Sequence, residues 1–396
     1  MKFAHLADCH IGGWRDDKMK NLPLESFVKS IDSCIEKNVD FILISGDLFN
    51  TSHPPIDNLK TVVSKLRELK EKNIPVYMVA GSHDFSTSGK TMIEVLEEAH
   101  LVKNVVKGRV EDEKLILNFT IDKKTGAKIT GMLGKKGSLE KKYYEKLDID
   151  SLEKESGFKI FMFHTSISEL KPKSLEKMEA EPISIMPRGF DYYAGGHVHI
   201  IEKKDFEGYK NVIYPGPTFP NNFRELEELN NGGFYIYKDG DIEYRNIKIK
   251  NTERIWIKKE ELTPLEITNI LNEEIENRNF DDKIVLIRIE GKLKNGKPKD
   301  IDFFNILKKV YSKNAYFVMK STTRLESDEF QEIKVNDESV EHIEEKIIDE
   351  YQEKSLLEKE KVKKIMQIFS NEKMEDEKSY DFEKRIIDEI NKNINL

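Results

Sequence analysis

Cysteine is nearly absent from this chain, which has two such residues among 396. Two cysteines cannot form a disulfide framework, so the class of small disulfide-stapled domains is excluded. No apolar run reaches the length of a membrane-spanning helix, and the first residues lack the apolar core of a signal peptide. We therefore expect a soluble protein of the reducing cytoplasm that makes no contact with a membrane.

An excess of charge of one sign is also missing from most of the chain. The formal net charge is −8, but residues 336–396 contain 18 acidic and 11 basic side chains and so account for −7 of it. Residues 1–335 are nearly neutral. Within them, residues 291–320 contain eight lysines and two aspartates. Such a basic strip can contact phosphate, or it can be a solvated face of a lysine-rich protein.

Histidine is scarce but concentrated, because five of the nine histidines lie in short blocks that follow predicted strands. The blocks are Asp8-Cys9-His10, Gly46-Asp47, Gly81-Ser82-His83-Asp84, His164 and Gly196-His197-Val198-His199. In open α/β sheets, binding sites lie beyond the carboxyl ends of the strands. Imidazoles and carboxylates gathered at that edge are suited to a site for two metal ions.

Apolar periodicity predicts alternating strands and helices in the first part of the chain. Lys2–Ala7, Val39–Ser45 and Ile74–Val79 are short apolar runs typical of strands, while Leu24–Glu36 and Ile56–Leu69 have helical spacing. This βαβαβ beginning, followed by later strands, indicates an α/β fold. We expect a sheet-rich sandwich flanked by helices.

The pattern divides the chain into three expected regions. Residues 1–250 would contain the metal site, residues 251–330 a small α+β cap domain, and residues 331–396 a helical segment. Apolar residues recur at helical intervals in the last region, although no following domain offers a surface to cover them. Docking on a partner protein is therefore favoured for this segment. The anchors expected there are Ile343, Ile347, Phe382, Ile386 and Ile390.

The spacing within the blocks suggests how the ions would be shared. Asp8 and His10, two residues apart on extended backbone, would point the same way and hold one ion. Asp47, at the end of the next strand, would bridge to the second ion. His197 and His199 repeat the two-residue step, and one of them would turn to each ion.

The order of these blocks resembles that of the calcineurin-like metallophosphoesterase superfamily, and the resemblance spans residues 1–220. More narrowly, the segments 5–12, 46–49, 193–199 and 214–217 resemble the double-strand-break repair nucleases called SbcD in bacteria, which have archaeal and eukaryotic relatives in meiotic recombination and repair. In that family a cap module follows the phosphoesterase domain, and a C-terminal helical segment binds the coiled coil of an SMC-like ABC ATPase. A homodimer and binding to DNA are further implications of the resemblance.

Carried over to this chain, the resemblance implies two Mn²⁺ ions, A and B, with one shared ligand. Metal A would be held by Asp8, His10, Asp47 and His199, and metal B by Asp47, His164, His197 and Ser82. His83 would protonate the leaving oxygen, and Asp84 would orient its ring. The family has Asn at the position of Ser82, so we expect weaker binding of metal B.

The sequence is compatible with three functions. An exo- and endonuclease that acts on DNA double-strand breaks together with the ATPase accounts for all three regions. A small-molecule phosphodiesterase or phosphatase of the same superfamily accounts for residues 1–220 and leaves the cap and the helical segment unexplained. A weakly active DNA-end-binding scaffold would follow if Ser82 marks a degraded site. The nuclease is favoured because it alone explains the whole chain.

Overall fold

The computed structural model describes residues 1–86, 89–135, 137, 139–172, 175, 178–327, 361, 364–365, 368–369 and 379–394. The chain divides into two units, Met1–Glu326 and Ser327–Leu396. The described strands of the first unit are β1 (Lys2–Leu6), β2 (Phe41–Ser45), β3 (Val76–Val79), β4 (Lys103–Asn104), β5 (Gly108–Glu111), β6 (Lys114–Leu117), β7 (Thr120–Ile121), β8 (Lys128–Gly131), β9 (Lys159–His164), β10 (Tyr192–Gly196), β11 (Glu202–Phe206), β12 (Tyr209–Tyr214), β13 (Gly233–Lys238), β14 (Asp241–Asn246), β15 (Thr252–Lys258), β16 (Ile284–Lys292) and β17 (Phe317–Glu326). The described α-helices of that unit are α1 (Leu22–Glu36), α2 (Ile56–Glu71), α3 (Met92–Glu98), α4 (Lys141–Tyr144), α5 (Ile149–Lys154), α6 (Phe223–Leu229), α7 (Pro264–Glu276) and α8 (Phe303–Ser312).

Two six-stranded sheets form a sandwich in the first unit. Their strand orders are β14-β13-β1-β2-β3-β4 and β11-β12-β10-β9-β8-β7. The inner faces of the two sheets enclose one apolar layer, in which Phe3 of β1 stacks on Phe41 of β2 with ring centroids 4.9 Å apart and meets Tyr192 of β10 edge-on. Helices α1, α2 and α3 cover the outer face of the first sheet with residues such as Phe27 and Val62. The predicted α/β sandwich flanked by helices is therefore confirmed.

Parallel pairing determines where the site forms. Strand β2 pairs in parallel with β1 and with β3, and β9 pairs in parallel with β10. The carboxyl ends of β1, β2 and β3 therefore meet at one edge of the first sheet, and those of β9 and β10 meet at one edge of the second. All residues of β2, β9 and β10 are buried, as expected of strands covered on both faces.

Residues 252–326 form a third, three-stranded sheet of the order β15-β16-β17, with parallel pairing throughout. Helices α7 and α8 cover it through an apolar cluster that includes Ile267, Ile287 and Ile306. Thr263 and Glu266 form a capping box at the start of α7, where Pro264 takes the first helical position. Sequence periodicity did not predict β15, because its apolar residues form only the short run Ile255-Trp256-Ile257 between charged residues, and Trp256 in that run is 59% exposed.

The second unit contains helix α9 (Ser379–Ile394), which carries the predicted anchors Phe382, Ile386 and Ile390. Ile386 is 6% exposed, so it is already covered within this chain, whereas Ile387 is 57% exposed. The other predicted anchors, Ile343 and Ile347, lie outside the described residues. Among the described helices, none combines the length and the apolar character that crossing a membrane would require.

Candidate metal centre

The backbone at the strand ends differs from the predicted extended form. Asp8, His10 and Asp47 have φ angles of 50°, 42° and 50°, and His197 has a φ angle of 91°, all in the left-handed region. Non-glycine residues rarely adopt this region, at a cost of about 1–3 kcal/mol each, and such residues cluster at functional sites. The paired loops hold this conformation, because the N–H groups of Asp8 and His10 donate to the carbonyl oxygens of Gly46 and Asp47 at 3.2 and 3.0 Å. The expected extended backbone at Asp8 and His10 was therefore wrong, although the two side chains do lie in one group of candidate ligands.

Two glycines allow the strand ends to approach each other closely. Gly46, with a φ of 82°, follows β2, and a Cβ atom there would lie 2.0 Å from Nδ1 of His164. At Gly196, the last residue of β10, a Cβ atom would lie 1.9 Å from the carbonyl oxygen of Ser45. Side chains at these positions would push β2 away from β9 and β10, so the glycines are needed to bring the two sheets together at the site.

One group of ligand atoms combines Asp8, His10 and His199, whose atoms lie within 4.8 Å of one another. The Nε2 atoms of His10 and His199 are 3.0 Å apart. His199 Nδ1 lies 2.8 Å from Oε1 of Glu225, and since a carboxylate accepts, Nδ1 carries the proton. Nε2 of His199 is therefore the nitrogen available to an ion, and Glu225 orients the ring.

A second group combines Asp8, Asp47 and His164, also within 4.8 Å of one another. His164 Nδ1 donates to the carbonyl oxygen of Ser45 at 2.9 Å, which turns Nε2 toward Asp47 Oδ2 at 3.2 Å. Asp47 also belongs to a third group with His10 and His83. Asp8, His10 and Asp47 each take part in two of the three groups. Oδ2 of Asp47 lies 3.7 Å from Nε2 of His10 and 3.2 Å from Nε2 of His164, so the position of this carboxylate fits one shared by two ions.

Ser82 and His197, two of the predicted ligands for metal B, lie near the cluster without belonging to a group that could hold an ion. Ser82 Oγ lies 3.5 Å from Oδ2 of Asp47, at the margin of a hydrogen bond. The His197 ring lies 5.2 Å from the His164 ring, centroid to centroid, and its backbone N–H donates to both oxygens of Asp8 at 2.9 and 3.1 Å. His197 is in none of the three groups described above. Ligation by Ser82 and His197 stays a prediction.

His83 lies at the open side of the cluster, with its ring centroid 4.9 Å from that of His10. Its Nδ1 donates to the carbonyl oxygen of Asn50 at 2.8 Å. Asp84 was expected to orient this ring, but its Oδ2 accepts the N–H groups of Asp47 and Gly81 at 3.0 and 2.8 Å. The orienting contact thus belongs to Asn50, while Asp84 fixes the backbone that carries Asp47.

The carboxylates of the cluster favour positive charge at the histidine rings. Burial disfavours the charged forms of both His164 and His199, yet nearby carboxylates outweigh it and raise the pKa of His164 to about 10 and that of His199 to about 9. A metal ion bound at Nε2 would take the place of the proton on that nitrogen, and the same carboxylates would stabilise its charge. The main carboxylate neighbour is Asp47 for His164 and Glu225 for His199. Burial also raises the pKa of Asp84, which lies beside Asp47. For His197, burial lowers the pKa to about 3, so this ring is neutral and able to ligate.

The donor set fits divalent metal ions. It combines buried imidazole nitrogens and carboxylate oxygens, a mixture that suits Mn²⁺, Fe²⁺, Co²⁺ or Zn²⁺ better than Mg²⁺, which prefers oxygen. His10, His199 and His164 present Nε2 to the cluster, which leaves each ring one nitrogen for an ion. Asp8, His10, Asp47, His164 and His199 are brought together as the sequence predicted.

Two contributors to the site were missed from sequence. Glu225 was overlooked although Asn222 precedes it by three residues, the spacing of a helix cap, and Asn222 does cap α6 by accepting from the Glu225 N–H. Asn50 contributes a backbone carbonyl, and no side-chain pattern can reveal such a contribution.

The fold and the cluster define a metal-dependent hydrolase. Comparison with known protein families agrees, because the family model "Calcineurin-like phosphoesterase" matches residues 1–200. The chain is 29% identical over 363 residues to the DNA double-strand break repair protein Mre11 of Methanococcus maripaludis, covering 87% of this chain and 89% of the relative. It is 30% identical over 278 residues to the Mre11 protein of Methanocaldococcus jannaschii, covering 67% and 69%. For the Mre11 protein of Archaeoglobus fulgidus, the identity is 27% over 297 residues, covering 70% and 64%. The chain belongs to the calcineurin-like phosphoesterase family, and within it to the Mre11 type.

Proposed function

We propose that this protein is a Mn²⁺-dependent nuclease that hydrolyses DNA phosphodiesters at double-strand breaks, with both exo- and endonuclease activity. The observation that carries the proposal is the position of the Asp47 carboxylate between two histidines, since its Oδ2 lies 3.7 Å from Nε2 of His10 and 3.2 Å from Nε2 of His164, with His83 in the same cluster. A shared carboxylate between two ion sites is the arrangement used for in-line displacement at phosphorus. The three archaeal relatives described above are named DNA double-strand break repair proteins, and these names supply the proposed substrate class.

In this mechanism the chain positions the ions and the proton donor. Asp8, His10, Asp47 and His199 would hold one ion, and Asp47 and His164, with the predicted ligands His197 and Ser82, would hold the other. Bound ions would supply activation of the attacking water and neutralise charge that develops on the phosphate. Because Asn50 accepts from Nδ1 of His83, Nε2 is the atom that would deliver a proton to the leaving sugar oxygen.

The lysines of residues 291–320 are proposed to contact the DNA backbone, although not all of them are equally suited to it. Lys313 Nζ donates to the carbonyl oxygens of Ile275 and Glu276 at the end of α7, and Lys309 lies 2.6 Å from Glu276. These two lysines already have structural contacts. Lys294, Lys299 and Lys308 are exposed and are the better candidates for phosphate.

The phosphate contacts are tested by replacing Lys294, Lys299 and Lys308 together with Gln. DNA affinity should fall equally for unrelated sequences, and the salt dependence should flatten by about 0.9 in slope for each lost contact. The exposed Lys114, Lys203 and Lys210, on β6, β11 and β12, provide a matched control in which the same number of charges is removed elsewhere. Equal losses in both triple variants would show a nonspecific effect of net charge and would sink the assignment to this region.

The nuclease is distinguished from its alternatives by one set of assays. Blunt and 3′-overhang duplexes, a supercoiled plasmid and a small phosphodiester are incubated with Mn²⁺, Mg²⁺, Co²⁺, Zn²⁺ or EDTA, and with Asp47→Asn as the inactive control. We expect Mn²⁺-dependent cleavage of the DNA substrates that this control lacks. Cleavage of only the small phosphodiester would favour a small-molecule phosphodiesterase, and DNA binding without cleavage would favour a scaffold.

A homodimer and an SMC-like coiled-coil ABC ATPase are the proposed protein partners. For the homodimer, α2 and the loop after Asp16 are the candidate surfaces, and the side chain of Ile56 on α2 is 82% exposed. Light scattering on the wild type and on Ile56→Glu tests this surface. A dimer that the substitution leaves intact would place the interface elsewhere. Residues 336–396 are the candidate segment for the ATPase.

A further inference from the structure

Helix α6 lies between the metal cluster and the β15–β17 sheet, and it contacts both. On the side of the cluster, Glu225 accepts from Nδ1 of His199 at 2.8 Å through Oε1 and from the backbone N–H of Asn221 at 2.7 Å through Oε2. The Glu225 N–H in turn donates to the capping side chain of Asn222 at 3.0 Å. The carboxylate that orients His199 is therefore fixed to the first turn of α6.

On the opposite side, two arginines of the third sheet bind the same helix. Arg288 of β16 makes a two-pronged ion pair with Glu227, in which Nε and Nη2 lie 2.7 and 2.8 Å from the two carboxylate oxygens. Arg254 of β15 donates to the backbone carbonyl of Glu227 at 2.7 Å. The Arg288 guanidinium also lies over the ring of Phe223 at 4.9 Å. Phe223, the first residue of this short helix, and Glu227, two residues before its end, are thus contacted by side chains of β15 and β16.

The ion pair is unusual in being largely shielded from water, since Arg288 is 7% exposed. Two parallel hydrogen bonds between a guanidinium and a carboxylate fix orientation as well as distance. Leu226, between the two glutamates, packs in an apolar cluster with Ile284 and Leu286 of β16. Since polar and apolar contacts both tie α6 to β16, a displacement of β16 would carry α6 and Glu225 with it.

We propose that Arg288 and Glu227 are positioning residues for the metal ligand His199, and that they act through α6 and Glu225. Residues 252–326 would then set the geometry of the metal A site in addition to their proposed contact with DNA. The inference rests on the proposed metal centre. A purely structural tie between β16 and α6 would stabilise the fold equally but would not change the affinity of the metal site.

The test is Mn²⁺ binding to the full-length protein, measured by calorimetry and by electron paramagnetic resonance of the bound ion. Loss of an outer contact to a metal-binding histidine typically weakens metal affinity about 10- to 100-fold, and we expect this for Glu225→Gln. Arg288→Met, one step further away, should weaken the same site about 3- to 10-fold, and Arg288→Lys should recover part of the loss. Arg245→Met is the matched control, because Arg245 pairs with Glu243 within β14 rather than with α6.

The double variant decides whether the two residues act in series. If Arg288 acts only through Glu225, Arg288→Met combined with Glu225→Gln should bind Mn²⁺ no more weakly than Glu225→Gln alone. Two outcomes would overturn the positioning role of Arg288. In one, the double variant loses the product of the two single losses in Mn²⁺ affinity; in the other, Arg288→Met binds Mn²⁺ as tightly as the wild type. Arg254→Met, which removes a single hydrogen bond to α6, gives the same test with a smaller expected effect if Arg288→Met does not fold. Absence of Mn²⁺ binding by the wild type would overturn the proposed metal centre itself, and with it the positioning role of Arg288 and Glu227.

Discussion

Three histidines of the cluster use their two ring nitrogens in the same way. In His83, His164 and His199, Nδ1 is bound by the protein, through Asn50, Ser45 and Glu225 respectively. All three partners accept hydrogen bonds, so Nδ1 carries a proton and Nε2 is left for the site. Two carbonyls and one carboxylate thereby determine which atom each ring offers to an ion or a substrate.

His83→Ala is predicted to abolish turnover while both ions remain bound. The reason is that Nε2 of His83 is assigned to proton transfer, and loss of a general acid typically costs about 10²- to 10⁴-fold in rate. Metal content and kinetics are measured on the same preparation, with His53→Ala, an exposed histidine, as the control. Because His83 also belongs to a group with His10 and Asp47, loss of an ion in the variant would make it a ligand instead.

Ser82→Asn is predicted to tighten metal B and to raise activity at limiting Mn²⁺. The side chain of Ser82 is buried beside Asp47, and a longer side chain with a carbonyl oxygen would reach further toward the ion. Titration of activity with Mn²⁺ for the wild type, Ser82→Asn and Ser82→Ala measures the effect. Identical titrations for all three proteins would remove position 82 from the coordination shell.

His5 is predicted to make stability depend on pH although it is not a ligand. It is fully buried, where Nδ1 faces the Tyr192 hydroxyl and Nε2 faces the Gly195 carbonyl, and burial lowers its pKa from 6.5 to about 3. The unfolded chain therefore binds the proton more readily between pH 6.5 and pH 3. The stability that the neutral ring contributes is fully present above pH 6.5 and falls with acidification, by up to about 1.4 kcal/mol per pH unit.

This effect is measured by denaturant unfolding in EDTA at several pH values, comparing the wild type with His5→Gln. The variant should lose less stability on acidification, because it lacks this one titrating group. Parallel curves for the two proteins would show that the ring is protonated at little cost in the folded state.

At the scale of elements, the junctions between strands and loops carry the strictest steric demands. Gly46→Ala is predicted to lower the free energy of unfolding by about 2–6 kcal/mol, because it combines backbone strain with an overlap on His164. Gly240→Ala is the matched control, since its φ is also positive, at 102°, while its surroundings are open. That control should cost about 1–2 kcal/mol. Equal losses in both variants would show that the close approach at Gly46 is relaxed at no cost.

Sequence periodicity located the elements of the sandwich well and the loop conformations poorly. Helix α2 begins at Ile56 as predicted, and β2 and β3 lie within the apolar runs Val39–Ser45 and Ile74–Val79. The left-handed turns at Asp8, His10 and Asp47 could not be predicted, because hydrogen bonds between loops from different strands stabilise them. Glu225 was missed for a similar reason, since its partner His199 is distant along the chain and only the folded structure brings them together.

At the scale of the whole molecule, the three regions differ in the way they bury apolar surface. The sandwich and residues 252–326 have their own extensive cores. In the described part of the helical segment, α9 shows a mixed face, because Ile386 is covered while the neighbouring Ile387 is exposed. The net charge of −7 on residues 336–396 separates this segment further from the nearly neutral remainder. A single exposed apolar side chain is common on protein surfaces, so contact with a partner stays a prediction, and Ile387 is the described residue of α9 on which it can be tested.

The helical segment is predicted to be required for binding the ATPase and dispensable for cleaving short DNA. Ile387→Asp should weaken association with the coiled-coil ATPase in size-exclusion mixing, since a few large apolar residues dominate such contacts, and it should leave folding and cleavage unchanged. Ile386→Ala is the matched control, because that side chain is covered within this chain. It should lower stability by about 2–5 kcal/mol, a loss typical of a buried isoleucine.

Truncation after Phe330 should abolish association with the ATPase altogether. A truncated protein that still binds the ATPase, or that no longer folds, would assign these helices to the protein's own core.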